Sequence, residues 1–482
     1  MSVIIKKLRP AVVCACAFGL AVSGLSADTD ALAAKKPSIS KKILTMKVGQ
    51  KKTLKLKNIT KKQSGRVKWS SFRENVATVN KKGVVRAKSS GQTTISARYK
   101  KKTYTCKVTV KNEYTLNTSY LDSQLEKNSK AYDNGFAGVS LKLSMFTGDT
   151  AIPSGGSALE KALAEMGYDR FVFNDYYRVP TSDHSMAVSC AAKTIGEGAD
   201  RFTAIVILPR SRNYGNEWVS NFTMGDGTDT PDHKGFSDSA RIVSDFLNKY
   251  ITDIGINGHV KFWIAGQSRG AAVGNLLAKR LADAEITLPA GISYERSDIY
   301  AYLFATPGAA YAGIGTNRQD LKTGYEFIHN VLFYSDVVPL MPPEQLGFGI
   351  YGQILRPDES SEKKEDMLAL LKDGYPNVYT IYEGMDTGGH TAEEDLTKAR
   401  EITSQMAELV GDRKEFDAKW KNIYLYAVSK FLTPIDGLPA LTADESMRMI
   451  SLLAVIGTDA GDMISLLKDH HPEVEFAWLC VQ

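Results

Sequence analysis

One short motif constrains the fold of this chain more than any other: the G-x-S-x-G formed by Gly266, Ser268 and Gly270. Residues 260–265 before it form an apolar run that predicts a buried strand, and apolar residues recur at helical spacing over 269–281. In such a strand–turn–helix, a tight turn lifts the serine hydroxyl above the sheet, and the glycines let strand and helix approach closely. The motif therefore predicts Ser268 as a nucleophile, with the Arg269 amide beside it at a helix N-terminus as an oxyanion donor.

The N-terminal residues 1–34 have the pattern of a secretory signal peptide. Lys6, Lys7 and Arg9 precede an apolar run over 11–25, and small residues follow it. No later run reaches the ~18 apolar residues of a membrane span. We therefore expect a secreted or cell-surface protein of bacterial type, without an integral membrane span after cleavage.

Charge divides the remaining chain into two unlike parts. Residues 35–111 contain 24 Lys and Arg against one acid, Glu74, a net charge of +23, whereas residues 112–482 carry −18. A shift of this size indicates a domain boundary near residue 112. The sequence thus predicts a basic domain at 35–111 and an acidic domain at 112–482.

Short alternating apolar runs between turn residues characterise 35–111, which is typical of a small all-β sandwich. The stretches KVGQKKTLKL, VKWSS, NVATVNKKGVVRAKSSGQTTISA and YTCKVTV resemble the bacterial Ig-like domain, group 2. This resemblance implies a non-catalytic module of a surface or secreted protein. Its lysines would either bind an anionic cell-wall polymer or form only a solvated, edge-protecting face. No groove-reading motif accompanies the charge, so nucleic acid is not an expected partner.

Strands alternating with helices characterise 112–482 and predict an α/β fold with a mostly parallel sheet. In such a sheet, reacting groups lie at the carboxyl ends of the strands. A largely helical insertion is expected near the C-terminus, with helices at 363–372, 392–410, 416–431 and 444–456.

Several motifs in order make residues 135–360 similar to the class 3 lipase family. They are IVILPRS, EWVSNF, HKGF, GQSRG, LFATPG and SDVVPLMPP. The resemblance implies an α/β-hydrolase fold and a Ser-His-Asp triad. It also implies that Ser211 supplies the second oxyanion-hole amide. The family has Arg-Gly-Thr where this chain has Pro209, Arg210 and Ser211.

Asp336 follows a predicted strand and matches the acid of the family. The order Ser, Asp, His of α/β-hydrolases then requires a histidine after residue 336. His470 lies in an ending similar to that of bacterial relatives of this lipase group, and we take it as the base. His390 is the alternative, because it precedes a capping-box helix start, and His471 also stays open.

These residues predict a secreted serine carboxylic-ester hydrolase acting on an ester or lipid, with a basic Ig-like module for wall or surface attachment. Metal clusters, phosphate loops and dinucleotide fingerprints are absent from the sequence, so no cofactor is expected. The alternative is a surface adhesion protein whose hydrolase-like domain is inactive. After the signal peptide, three cysteines remain, and a bridge between Cys190 and Cys480 stays open.

Overall fold

The structure is a computed structural model that describes most of the chain from residue 36 onward. The described residues are 36–47, 50–74, 76–88, 91–111, 120–148, 157–178, 182, 185–211, 215–315, 321–385, 391–431, 438, 440–456 and 467–482. The predicted signal peptide, 1–34, and the alternative base His390 lie outside these residues. Within these ranges, no helix combines the length and apolar character needed to cross a membrane.

The basic segment folds into two small β-sheets and a separate two-stranded ribbon, in agreement with the β-strands that its alternating pattern predicts. Strands β2, β9, β8 and β5 form one sheet, β3, β7 and β6 form the other, and β1 pairs with β4. A single helical turn, α1 (Lys61–Ser64), lies between β4 and β5. The strands are β1 (Ser38–Ile39), β2 (Ile43–Lys47), β3 (Lys51–Thr53), β4 (Leu56–Lys57), β5 (Lys68–Ser71), β6 (Ala77–Val79), β7 (Val84–Ala87), β8 (Gly91–Tyr99) and β9 (Lys102–Lys111).

The period-two pattern of these strands separates a shared core from a charged exterior. Cys106, Val108 and Val110 of β9 are buried in one cluster with Val85 of the other sheet. Lys107, between two of these buried residues, is exposed. Apolar side chains from both sheets therefore meet in one sandwich core.

Exposed bases lie directly opposite one another on both sheets. Lys68 of β5 pairs in register with Arg98 of β8, and Lys51 of β3 pairs with Arg86 of β7. All four side chains are exposed. Like charges directly opposite on neighbouring strands are destabilising, so these positions carry charge at the expense of sheet stability.

A larger sheet dominates the rest of the chain. Its strand order is β10-β11-β12-β13-β15-β17-β19, with β14 also paired to β13. Pairing is antiparallel from β10 to β12 and parallel from β12 to β19, so the sheet is mixed. The strands are β10 (Val172–Phe173), β11 (Val188–Ile195), β12 (Phe202–Pro209), β13 (Gly258–Gln267), β14 (Ile292–Ser293), β15 (Ile299–Phe304), β16 (Ala310–Tyr311), β17 (Ile328–Val331), β18 (Phe348–Gly349) and β19 (Gln353–Leu355), and β16 pairs with β18 in a separate ribbon.

Helices cover both faces of this sheet. The side chains of its central strand, β13, are therefore buried on both faces. Phe262 and Ile264 share one cluster with α5 and α6, and Trp263 and Ala265 share another with α2 and α13. The helices are α2 (Asn134–Phe146), α3 (Ala158–Glu165), α4 (Trp218–Asn221), α5 (Lys234–Ile254), α6 (Arg269–Ala282), α7 (Ser361–Gly374), α8 (Pro376–Met385), α9 (Ala392–Val410), α10 (Arg413–Glu415), α11 (Lys421–Phe431), α12 (Ala443–Ile456) and α13 (Pro472–Cys480).

The helical insertion has its own core. Met406 of α9 and Trp420 pack with Val337, the residue after Asp336. Helix α9 has the predicted bounds, whereas the predicted helix 416–431 begins as a π-helix at Phe416–Trp420 before α11. Helix α8, which the sequence reading left unassigned, begins at Pro376, a residue suited to a first helical turn.

The three cysteines of the described residues form no disulfide. Cys106, Cys190 and Cys480 are all free thiols, so the possible Cys190–Cys480 bridge is not formed. Cys106 and Cys190 are buried, and burial raises the pKa of each thiol. They therefore act as small apolar core residues.

Candidate active site

The predicted nucleophile lies in a strained turn between β13 and α6. Ser268 has φ 54° and ψ −126°, a conformation that costs a non-glycine residue about 1–3 kcal/mol. Its amide donates to the Phe304 carbonyl at the end of β15, at 2.9 Å. The neighbouring strand thus holds the turn, and only 7 % of Ser268 remains exposed.

The two glycines of the motif are required by close contacts. A Cβ on Gly266 would lie 2.4 Å from the Gly270 carbonyl oxygen. A Cβ on Gly270 would lie 2.4 Å from Ser211 Oγ and 2.8 Å from the Pro209 carbonyl oxygen. The turn at residues 266–270, the elbow, therefore packs so closely on itself and on the end of β12 that no side chain fits at either glycine.

Three predicted residues meet in one hydrogen-bonded chain. His470 Nε2 lies 2.9 Å from Ser268 Oγ, and His470 Nδ1 lies 3.0 Å from Asp336 Oδ2. Asp336 follows β17 and is buried, while 24 % of the His470 side chain is exposed. The arrangement places an acceptor nitrogen against the serine hydroxyl and a carboxylate behind the imidazole.

The other histidines of the described chain have separate partners. His259 Nε2 lies 3.0 Å from Asp298 Oδ2, and His329 Nε2 lies 2.9 Å from the Ser129 carbonyl oxygen. His233 is buried and stacks on Phe236, and burial lowers its pKa to about 3. His471 precedes α13 as its N-terminal flanking residue.

A buried ion pair ties the loop of Asp336 to that of His470. The Ser335 hydroxyl donates to Asp395 Oδ2 at 2.5 Å, and Lys468 Nζ lies 3.1 Å from the same oxygen. Asp395 belongs to α9. The helical insertion thus joins the segment of Asp336 to the segment of His470.

Ser211 lies beside the elbow, at the carboxyl end of β12. Its hydroxyl accepts from the Gln267 amide at 3.0 Å, and its own amide donates to Thr147 Oγ1 at 3.0 Å. An acyl oxygen reaching the Ser211 amide would share it with Thr147 or displace that hydroxyl. Arg269 is the first residue of α6, where the helix dipole favours negative charge.

One buried carboxylate pairs with Arg210, the residue before the predicted oxyanion donor Ser211, and with the other predicted donor, Arg269. Glu217 is fully buried, and it pairs with Arg210 at 2.5 Å and with Arg269 at 3.1 Å. Arg269 also donates to the hydroxyls of Ser220 and Ser239. Glu217 therefore fixes the segment ending in Ser211 against the elbow.

Carboxyl groups crowd the base side of the site. Burial raises the pKa of Asp469, next to His470, to about 6, despite the Lys468 ammonium. Burial also raises the pKa of Glu359 and of Glu475 well above their ordinary values, and the charge of Asp336 adds to the effect at Glu475. Each of these shifts favours the neutral form of a carboxyl group close to Asp336 and His470.

The residues Asp336, His470 and Glu475 also bring three possible ligand atoms within 4.8 Å of one another. Both imidazole nitrogens of His470, however, already contact Asp336 and Ser268. A metal ion would have to break one of these contacts. The geometry fits a proton relay better than a metal centre.

Sequence reasoning missed four residues of the site: Thr147, Glu217, Gln267 and Glu475. Gln267 occupies the variable position of the G-x-S-x-G motif, and Glu475 is fully buried in the last helix. A glutamate flanked by Val474, Phe476 and Trp478 was the available signal, since burial of an acid needs a partner.

Comparison with known proteins identifies the N-terminal module. Residues 33–110 match the family model of the bacterial Ig-like domain (group 2), so this segment is a domain of that family. Such domains occur in extracellular or surface proteins of bacteria. No curated protein matches the chain.

A solved structure, "Rhizomucor miehei lipase propeptide complex, native", matches 49 % of this chain and 70 % of its own, at 15 % identity. Its TM-score is 0.29, which is too low to carry an argument about a shared fold.

Replacing Gly270 with alanine should lower the free energy of unfolding by about 1–3 kcal/mol, because the new carbon meets backbone and Ser211 at the end of β12. Gly274→Ala on the same helix is the matched control, since its added carbon meets only side-chain atoms, those of Leu303 and Ile264, and no backbone. Urea unfolding measures both variants. Equal losses of stability would contradict the close-contact explanation.

Asp469 should make stability depend on pH. Its folded pKa of about 6 exceeds the ordinary value of 3.8, so its neutral form stabilises the fold at low pH, and this contribution falls as pH rises through 6. Asp469→Asn should shrink the stability lost between pH 5 and pH 8 by about 1–2 kcal/mol. Urea unfolding at both pH values tests this, with exposed Asp175→Asn as the control; an unchanged difference for Asp469→Asn would refute the assignment.

Proposed function

We propose that the protein is a secreted serine carboxylic-ester hydrolase with an α/β-hydrolase domain of the class 3 lipase type. The observation that carries this proposal is the chain Ser268–His470–Asp336, with contacts of 2.9 and 3.0 Å. The elbow conformation of Ser268 and the chain order Ser, Asp, His support it further. Under this proposal, residues 112–482 form the catalytic domain.

In the proposed reaction, His470 Nε2 takes the proton of Ser268 Oγ as that oxygen attacks the acyl carbonyl. Asp336 holds the imidazole in orientation and stabilises the imidazolium. The developing oxyanion faces the amide end of α6 at Arg269 and the Ser211 segment. The imidazolium then protonates the leaving alcohol, and water activated by His470 releases the acid and restores the Ser268 hydroxyl.

A second reading is a surface-binding protein whose hydrolase-like domain is inactive. Two observations favour it: the Ser211 amide already donates to Thr147, and only 7 % of Ser268 is exposed. Both concern substrate access and oxyanion stabilisation rather than proton transfer. Ester hydrolysis by wild type, and its loss in Ser268→Ala, distinguishes a hydrolase from a binding protein with an inactive domain.

The basic Ig-like domain we propose as an attachment module for an anionic cell-wall polymer. With 24 bases and one acid in 35–111, the domain cannot neutralise itself by internal ion pairs. It also places Lys68 opposite Arg98 and Lys51 opposite Arg86. A face that served only solubility would gain stability from mixed charges, whereas a polyanion would compensate this repulsion.

Ser268→Ala should lower kcat/KM for p-nitrophenyl esters of varied chain length by about 10⁴-fold or more, because it removes the attacking oxygen. His470→Ala should cause a similar loss, and His390→Ala should not. Exposed Ser293→Ala is the matched control. If wild type and Ser268→Ala are equally active, or both inert, the hydrolase proposal fails; a loss in His390→Ala with activity kept in His470→Ala would make His390 the base.

For attachment, Lys68→Glu in the full chain should act in opposite directions on stability and binding. It places an acid opposite Arg98 and should stabilise the domain by about 0.2–1 kcal/mol. It should also weaken retention on isolated cell walls, which in wild type should disappear near 1 M salt, where the screening length is about 3 Å.

Lys322→Glu, an exposed change in the acidic part of the chain, is the control for this attachment test. Wall binding that persists at high salt, or that Lys68→Glu and Lys322→Glu weaken equally, would contradict a charge-driven role of the Ig-like domain.

A further inference from the structure

The side chain of Gln267 links the turn that carries Ser268 to the loop of His470 and to the last helix, α13. Its Nε2 donates to the His470 carbonyl oxygen at 3.1 Å and to Glu475 Oε1 at 3.0 Å. Gln267 immediately precedes Ser268, and its own backbone amide donates to Ser211 Oγ. One residue thus contacts the nucleophile turn, the loop of the base, the last helix and the predicted oxyanion segment.

The contact between the Gln267 amide and the His470 carbonyl affects the distance between Ser268 Oγ and His470 Nε2, across which the proton would move. Ser268 and His470 are 202 residues apart in the chain, and their Oγ–Nε2 distance is 2.9 Å. The Asp336 contact orients the imidazole ring but lies on its far side. The Gln267 amide holds the backbone of His470 itself, at a position directly linked to Ser268.

Glu475 is the acceptor that completes the arrangement. It is fully buried on α13, and its Oε2 has no hydrogen-bond partner among the described residues. The charged or titratable groups that act on it are Asp336, Glu473 and Asp469, with His470 close by. Three of these four are acids, and His470 is already paired with Asp336, so a second buried carboxylate would lack a cation.

Building on the proposed hydrolase function, we infer that Gln267 and Glu475 are positioning residues: the Gln267 amide clamps the His470 loop to the nucleophile turn, and uncharged Glu475 orients that amide. The uncharged state agrees with the burial of Glu475, which raises its pKa. A neutral acceptor holds Gln267 without adding a second negative charge beside the Asp336–His470 pair. An anion there would favour the protonated imidazole and remove the base.

Gln267→Leu tests the clamp because leucine keeps a similar volume and leaves the backbone bond to Ser211 intact. We expect kcat for a p-nitrophenyl ester to fall about 10- to 100-fold, with KM changed less than about threefold, since misplacement of a catalytic group lowers turnover rather than binding. Thermal unfolding establishes that the variant is folded. A folded Gln267→Leu with wild-type kcat and pH profile would overturn the proposal.

Two substitutions of Glu475 test its charge state. Glu475→Gln is neutral and keeps an acceptor oxygen of similar position, so the acid limb of the pH profile of kcat/KM should stay at the same pH as in wild type. If Glu475 were ionised, losing its charge would move that limb toward lower pH by about one unit. Such a displacement would refute the uncharged state.

Glu475→Leu removes the acceptor and should lower kcat about tenfold, and the double variant with Gln267→Leu should lose no more than Gln267→Leu alone. Glu473→Gln is the matched control, because it lies on the same helix and is not bonded to Gln267. Multiplicative losses in the double variant would show that the two residues act separately, against the clamp.

A spectroscopic measurement separates failure of the clamp from failure of the hydrolase proposal. If wild type neither hydrolyses esters nor reacts with a fluorophosphonate at Ser268, the proposed function fails. The clamp is then read from the low-field proton of the His470–Asp336 hydrogen bond, assigned by its loss in His470→Gln. Gln267→Leu should broaden or shift this resonance, and an unchanged resonance would refute the clamp.

Discussion

The buried carboxylate of Glu217 is the interaction on which the candidate site depends. It pairs with Arg210, which precedes Ser211, and with Arg269, which follows Ser268. An unpaired buried charge costs several kcal/mol. The segment of Arg210 and the segment of Arg269 must therefore both lie close enough to Glu217 to pair with it. The relative position of the ends of β12 and β13 is therefore fixed by these ion pairs as well as by backbone hydrogen bonds between the strands.

This network also gives the two sides of the elbow opposite electrical character. Two guanidinium groups and one carboxylate lie on the side of Ser211 and Arg269, leaving an excess of positive charge where an oxyanion would form. The other side holds Asp336 close to Asp469 and Glu475, whose neutral forms burial favours. An imidazolium would form next to one carboxylate, and negative charge would form on the cationic side, which is the polarity that acyl transfer needs.

Local sequence signals predicted the parts of the site that local structure creates. The elbow follows from glycines at fixed positions between a strand and a helix, and Asp336 follows from its position after a strand. The base was harder to predict, because the sequence around both His390 and His470 predicts a following helix start. Neither pattern gives a distance to Ser268, which depends on how the insertion folds. The flanking apolar residues indicate that Glu475 is buried, but its partner could not be predicted, because Gln267 lies 208 residues away in the chain. The roles of Glu217 and Gln267 likewise arise from contacts between segments.

The same limit applies to the fold. Periodicity predicted α9 to the residue, because its buried face and capping box are written in its own sequence. The antiparallel edge formed by β10 and β11 and the π-helical start of the segment before α11 were not predicted. Both depend on neighbours that complete hydrogen bonds or fill space, which a pattern along one segment does not contain.

The order of Ser268, Asp336 and His470 along the chain has a consequence for biosynthesis. Ser268 is followed by Asp336 and, 134 residues later, by His470, with the helical insertion between them. While the ribosome is still making the insertion, the turn that carries Ser268 has no imidazole to take its proton. Under the proposed function, a nascent chain would therefore lack ester-hydrolase activity until His470 and α13 are synthesised and dock, and the insertion would delay the onset of activity.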